Sequence, residues 1–282
     1  MTREFTVDYR LNEGFDRLVA LNIAIEGSGA ALMVSSLLMD YPLGIAAGLV
    51  LVAVGILFLL FHLGNRLRCW RVIVGLKSSW ISRGAFFAGA LMFFGILSVL
   101  IKGSALGSAM QIGTIIFSIL TILYSGFFLS SMTPIPFWNT PLTPVLFLLH
   151  SVTTGLSILI FMLALNPGGP SINSILGWVV LLAGAALLFT VVHVVVMASS
   201  TNASRESVRL LVRDGLRLTF LGGAITVGLI IPLIIFSYLY LNTGQSTQNL
   251  IVFFTVTMVL RAVGDYAFRS SVLNAGVYEM MI

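Results

Sequence analysis

Charge is nearly absent from this sequence. Asp, Glu, Lys and Arg together make up 9% of its 282 residues, against 58% apolar. A soluble domain of this length carries roughly a quarter charged residues, so its surface chemistry alone excludes a water-facing globule. Cysteine occurs once, at Cys69. That excludes an intramolecular disulfide, a Cys-rich metal cluster and an iron–sulfur site within the protein. Acidic residues number only ten against fifteen basic ones, giving a net charge of +5 and a pI near 9.7. In a soluble protein this balance would suggest nucleic acid. In so apolar a sequence it is the basic bias of cytoplasmic membrane loops, and no nucleic-acid partner is expected.

What the sequence has in abundance is long apolar runs, with a mean hydropathy of +1.06. A helix needs about 20 apolar residues to cross roughly 30 Å of hydrocarbon. Eight runs meet that length, near 18–39, 43–63, 84–102, 108–130, 142–165, 174–198, 218–241 and 249–272. They predict an all-α, polytopic membrane protein of eight transmembrane helices, with residues 1–282 forming a single integral membrane domain and no sizeable soluble domain. The mixed-charge stretch from Thr2 to Arg17 lacks a small-residue cleavage site, so the first run reads as a span and not as a removed signal peptide.

Eight spans put both termini on one side. That side holds Arg3, Arg10 and Arg17, then Arg66, Arg68, Arg71, Lys77 and Arg83, then Arg205, Arg209, Arg213 and Arg217. The opposite loops hold only Lys102, while Arg261 and Arg269 fall inside the last span. Basic loops face the cytoplasm, so both termini and the 62–84 segment are expected there, in a cytoplasmic (inner) membrane. The opposite loops are short or neutral, so partners should dock on the cytoplasmic face, with Arg66, Arg68, Arg71 and Lys77 as the docking cations. The plainer alternative is that these charges only set topology.

Ionisable groups inside a span cost about 2.5–3.5 kcal/mol each on insertion scales and are functional candidates for that reason. Glu26 follows Asn22 by one helical turn and shares its face. Gly27-Ser28-Gly29 next to it permits close approach of another helix or a flat ligand. A protonated glutamate that only hydrogen-bonds a neighbouring helix is the plain alternative to a proton acceptor. His62, His150 and His193, with Tyr124 and Ser125, all fall in the cytoplasmic half when the alternating directions are traced. Arg261, Asp265 and Arg269 stand at successive i, i+4 positions, a one-face ladder in which Asp265 can neutralise one or both arginines. Such a ladder must face other helices or water, as a structural ion network or as a proton or anion path.

Three stretches of the sequence resemble a known family. His62-Leu63-Gly64, then Arg68, Trp70 and Arg71, then Ser79-Trp80-Ile81-Ser82-Arg83-Gly84-Ala85 are similar to the polysulfide reductase/NrfD-like membrane subunits and to their relatives, the anchor subunits of dimethyl sulfoxide reductases. The run Tyr124-Ser125-Gly126-Phe127-Phe128-Leu129-Ser130, followed by Pro136-Phe137-Trp138-Asn139-Thr140-Pro141-Leu142-Thr143-Pro144-Val145-Leu146-Phe147, is similar to the NrfD-like branch. The closing Gly264-Asp265 to Arg269 segment resembles the end of the anchor subunits, with Asp265 where a glutamate is expected. The resemblance covers about three quarters of the protein.

It implies an eight-helix subunit without haem or other metal that binds a quinone (menaquinone or ubiquinone) and serves anaerobic respiration. Electrons would pass between the quinone pool and a ferredoxin-like iron–sulfur subunit joined to a molybdopterin-type catalytic subunit carrying molybdenum or tungsten. The protein itself would be non-catalytic alone. His62, Arg83, Tyr124, Glu26 and Asn22 are the expected quinone-binding residues, with Trp138 and Asn139 shaping the loop over them. Glu26, Arg261, Asp265 and Arg269 are the expected proton path. Two departures stand out. Gly84 occupies the position where the anchor branch has a carboxylate, which moves the search for a proton acceptor to Glu26. His62 follows the anchor branch where the NrfD-like branch often has Asp. The basic 62–84 segment also places the partners in the cytoplasm, whereas the most familiar members of the family face outward.

Two other functions compete. A haem b cytochrome needs two axial histidines at one depth, for which His150 and His193 are the pair available. A transporter-like or proton-translocating subunit would carry inverted repeats and broken helices. Pro144 and Pro232 interrupt spans, but the two halves show no convincing repeat.

Overall fold

The computed structural model describes residues 11–12, 14–15, 17–62, 75–77, 79–166, 171–242 and 247–279; the side chains of His62 and of 247–249 lie outside that description. Among the described residues, eight helical segments are long and apolar enough to cross a membrane. They are α1 (Arg17–Leu38), α2 (Pro42–His62), α3 (Trp80–Leu100), α4 (Ala105–Ser130), α5 (Leu142–Leu165), α6 (Asn173–Ala198), a seventh span and α9 (Thr247–Asn274). The seventh span begins as a π-helix (Leu218–Ile230) and continues as α8 (Ile231–Leu241). A shorter helix, α7 (Asn202–Val212), lies between α6 and the seventh span. The predicted all-α membrane architecture is therefore the observed one, and most span boundaries agree to within a few residues.

The differences have local causes. Helix α3 starts at Trp80, four residues before the predicted span, because Ser79 caps it and accepts the Ser82 amide at 3.4 Å. Ser82-Arg83-Gly84 is thus first-turn helix and not loop. Helix α7 escapes an apolar-run search because it is amphipathic. Thr201 caps it by accepting the Ser204 amide at 3.2 Å, its buried face carries Ala203, Ser207, Val208 and Leu211, and Arg205 and Arg209 point outward. Pro144 does not interrupt α5. It is the third residue of that helix, where the missing amide has no intrahelical partner to lose.

Helix α1 is the most buried span and packs on α2, α4, α5 and α9. Glycine makes this possible where two backbones nearly touch. A Cβ on Gly29 would stand 2.9 Å from both the Gly48 carbonyl and the Val52 amide of α2. In a bilayer, where lipid tails are as apolar as leucine, such close packing is what holds helices together. A second seam of this kind joins α9 to the π-helix, where a Cβ on Gly228 would lie 2.5 Å from Gly264 Cα. The turns after α1 and after α3 share one side of the molecule, as alternating spans require, and Lys102 meets Asp40 there at 2.7 Å. The pair is exposed and contributes little stability.

π-Helices are rare and mostly single-turn, yet this one spans 13 residues. Pro232 follows as the second residue of α8. It has no amide hydrogen and so interrupts the backbone ladder where the π-helix gives way to α8. The Gly228 carbonyl lies at this junction. That carbonyl is bonded by the side chain of Arg261 on α9, at 2.6 Å.

Candidate functional site

The site begins on α1. Asn22 and Glu26 lie one turn apart, and the Asn22 Nδ2 donates to Glu26 Oε2 at 2.8 Å and to the Gly55 carbonyl of α2 at 2.9 Å. Gly55 is small for a reason: a Cβ there would stand 2.8 Å from Glu26 Cβ. The carboxyl is only 2% exposed, and its second oxygen, Oε1, has no hydrogen-bond partner among the described residues. Asn22 thus fixes one carboxyl oxygen and leaves the other available.

Tyr124 of α4 rests on Gly84 of α3. A Cβ at Gly84 would fall into the Tyr124 ring, with its Cζ 2.7 Å away. This explains the missing carboxylate at position 84, because the tyrosine fills the space that a side chain would need. Tyr124 lies within electrostatic range of both Glu26 and Arg269. Its hydroxyl makes no hydrogen bond to any described residue. Tyr124 therefore packs on Gly84 and lies within electrostatic range of Glu26.

The ladder on α9 is wholly interior, with Arg261, Asp265 and Arg269 each at most 1% exposed. Arg269 Nε donates to Asp265 Oδ1 at 2.9 Å, and its Nη2 donates to Ser151 Oγ at 2.6 Å. The guanidinium also stacks over Phe147, 4.9 Å from the ring centre. Asp265 therefore bonds one of its two neighbours only. Arg261 is held by neutral acceptors instead: its Nη2 reaches the His150 carbonyl at 3.0 Å, Thr153 at 2.8 Å and Thr154 at 2.9 Å, and its Nη1 takes Gly228. Four neutral oxygens and the field of Asp265 keep this cation tolerable inside the bundle.

Helix α1 and the ladder meet at Gly27. A Cβ there would stand 2.5 Å from Ser151 Oγ and 3.4 Å from Arg269 Nη2. The Ser28 hydroxyl approaches Asp265 Oδ2 at 3.5 Å, and Arg269 attracts Glu26. Asn22, Glu26, Tyr124, Ser151, Asp265 and Arg269, from four helices, form one buried polar body. His150 borders it, with Nδ1 3.9 Å from Asp265 Oδ1, its ring stacked on Phe268 at 3.7 Å and its Nε2 3.4 Å from Thr190 Oγ1. His193 packs instead on Phe137, ring centres 5.0 Å apart.

The other expected residues lie elsewhere. Arg83 is half-buried and turns back to cap the preceding segment. It donates to the carbonyls of Leu76 at 3.0 Å and Lys77 at 2.8 Å and covers the Trp80 ring at 4.7 Å. Trp138 is fully buried and bolts the α4–α5 connection to α9, its Nε1 donating to the Val272 carbonyl at 2.8 Å. Asn139 beside it is exposed, as is Lys77. The His62 side chain and residues Arg66, Arg68 and Arg71 lie outside the described residues.

Sequence reading missed the cradle. Ser151, Thr153 and Thr154 on α5 bind both arginines, and the signal was the run Ser151-Val152-Thr153-Thr154-Gly155, a polar island inside an apolar span. Ser28 was visible only as part of a glycine pair. The Gly228 carbonyl has no sequence signal beyond Pro232 four residues on. Among the described residues no cluster of three His, Cys, Asp or Glu side chains could hold a metal ion.

An eight-span helical bundle with a carboxyl-centred polar body at its heart is the architecture of a multi-pass membrane protein with an interior polar site. The protein belongs to the NrfD polysulphide reductase family, whose model matches residues 41–279. The C subunit of polysulfide reductase from Wolinella succinogenes is 26% identical over 298 residues, which cover 92% of this sequence and 92% of that protein. The family match begins after α1, so the roles of Asn22 and Glu26 rest on the geometry around them.

Proposed function

We propose that the protein is the quinone-reactive membrane subunit of a polysulfide reductase-like complex. It would carry electrons between the membrane quinone pool and an iron–sulfur subunit, which passes them to or from a molybdopterin-type catalytic subunit. The observation that carries this reading is the unpartnered Oε1 of Glu26, buried within electrostatic range of Tyr124 in a protein of this family. An acceptor and a donor in one interior polar body are the group types that a quinone or quinol needs, and Glu26 on α1 and Tyr124 on α4 are the residues that would hold it.

A bound quinol supplies two electrons and two protons. The residues of this protein handle binding and the protons. Tyr124 donates a hydrogen bond from its hydroxyl, and Glu26 accepts one at Oε1, or a proton there. Asn22 holds Oε2 so that the carboxyl cannot swing. Arg269 stabilises Glu26 when that group is ionised, and Asp265 offsets the charge of Arg269 when it is not. Arginine keeps its proton, so Glu26 and Asp265 are the two stations at which a proton can rest, with Ser28 leaning from α1 toward the second. Arg261 positions the seventh span and takes no proton.

The charge asymmetry supports cytoplasmic termini, a cytoplasmic (inner) membrane location and partners on the cytoplasmic face. Binding of a short-chain quinone analogue to the purified protein, followed by tryptophan fluorescence, tests the site. Tyr124→Phe should weaken binding by about 0.5–1.5 kcal/mol. Equal affinity in the wild type and in a Glu26→Gln/Tyr124→Phe double variant would remove these residues from the site. A reporter fused at the C-terminus should be active in the cytoplasm, and activity only outside the cell would reverse the orientation.

A further inference from the structure

Helix α1 presents Arg17, Leu18, Leu21, Ala24, Ile25 and Ser28 along one side of a crevice, and α9 presents Ala262, Val263, Tyr266, Ser270 and Asn274 along the other. The spacings are those of a single helix face on each side, and Tyr266 lines both the mouth and the inner part. The two stretches of lining share that residue and together reach from Arg17 to Ser28. Eleven residues at 1.5 Å each give about 16 Å, which is about half of a 30 Å hydrocarbon core. It runs the depth of one leaflet.

Its polarity is graded. At the mouth stand the exposed Arg17 and Thr219, neither bonded to any described residue, with Ser270 and Asn274. Arg217, next in sequence to Leu216 of the lining, is exposed as well, while the nearby Asp214 is paired with Arg209 at 3.1 Å. The inner part is mainly aliphatic apart from Tyr266, Ser28 and Thr154, and Val263 there is 51% exposed. The two hydroxyls at its floor are already engaged: Ser28 with the Ala24 carbonyl at 2.5 Å and Thr154 with the His150 carbonyl at 2.9 Å.

We infer that the α1–α9 crevice is a binding site for one anionic phospholipid, its phosphate at Arg17 and one acyl tail lying between the helices down to Ser28. A quinone would need the opposite arrangement, with free polar groups at the inner end and an apolar mouth. The crevice is distinct from Glu26 and Tyr124, so the inference stands whether or not those residues bind quinone.

The test is native mass spectrometry of the detergent-purified protein with phosphatidylglycerol or phosphatidylcholine at equal concentration. One phosphatidylglycerol should be retained in preference to phosphatidylcholine. Arg17→Ala should lower phosphatidylglycerol retention by about fivefold, the worth of one basic side chain at an anionic membrane surface, and leave phosphatidylcholine unchanged. Ala262→Phe, at an exposed position of the apolar part, should lower retention of both lipids by obstructing the tail. Equal retention of the two lipids by the wild type would overturn the inference. So would indifference to Arg17→Ala, or a co-purifying quinone that Ala262→Phe displaces.

Discussion

A Glu26→Gln protein should fold as the native one does and lose quinol-linked turnover in its assembled complex by about 10²–10⁴-fold, the usual worth of a general base. Glutamine keeps the volume of the side chain and an oxygen for the Asn22 amide, which sits 2.8 Å from Oε2. What it removes is the ability of this group to take and release a proton. Thermal unfolding in detergent should match the wild type to within about 0.5 kcal/mol, as a near-isosteric change allows. A Glu26→Gln complex that turns over at the native rate would show that protons leave by another route.

Arg269→Ala should act on the fold instead. Among the described residues the guanidinium is the only cation bonded to Asp265, and it also caps Ser151 and attracts Glu26. Its loss strands two carboxyls in the interior, and breaking a buried pair from one side costs about 3–5 kcal/mol. The unfolding midpoint should fall sharply. Changing both partners, Arg269→Met with Asp265→Leu, should recover much of that loss, because no unpaired charge remains. A single variant as stable as the wild type would mean that water or lipid already compensates Asp265.

Most of the architecture is legible in the sequence because a bilayer simplifies the problem. Any run of some 20 apolar residues must be a helix, since every backbone polar group has to be satisfied within the span. The ladder on α9 is legible for a similar reason, because i, i+4 spacing defines a face without knowledge of any partner. What the sequence hides are pairings across helices. Gly84 reads as a missing acid until the Tyr124 ring is seen against it. Arg83 reads as a group at a site mouth, yet it lies in the first turn of α3 and is absorbed by the carbonyls of Leu76 and Lys77. Asp265 reads as able to neutralise one or both arginines, and which one it bonds is not legible: hydroxyls and carbonyls on α5 and the π-helix have taken Arg261. The helix α7 was hidden by its own amphipathicity in a search for continuous apolar runs.

The bond from Arg261 to Gly228 has a bearing on how the protein enters the membrane. Pro232 leaves the seventh span one donor short, and a carbonyl facing hydrocarbon without a partner costs several kcal/mol. A donor for the Gly228 carbonyl arrives with α9, which follows the seventh span in sequence. Pairing with α9 therefore adds a hydrogen bond at the break in the seventh span that a lone inserted helix would not have. The two segments are tied at that break by a side chain that donates where the backbone ladder is interrupted.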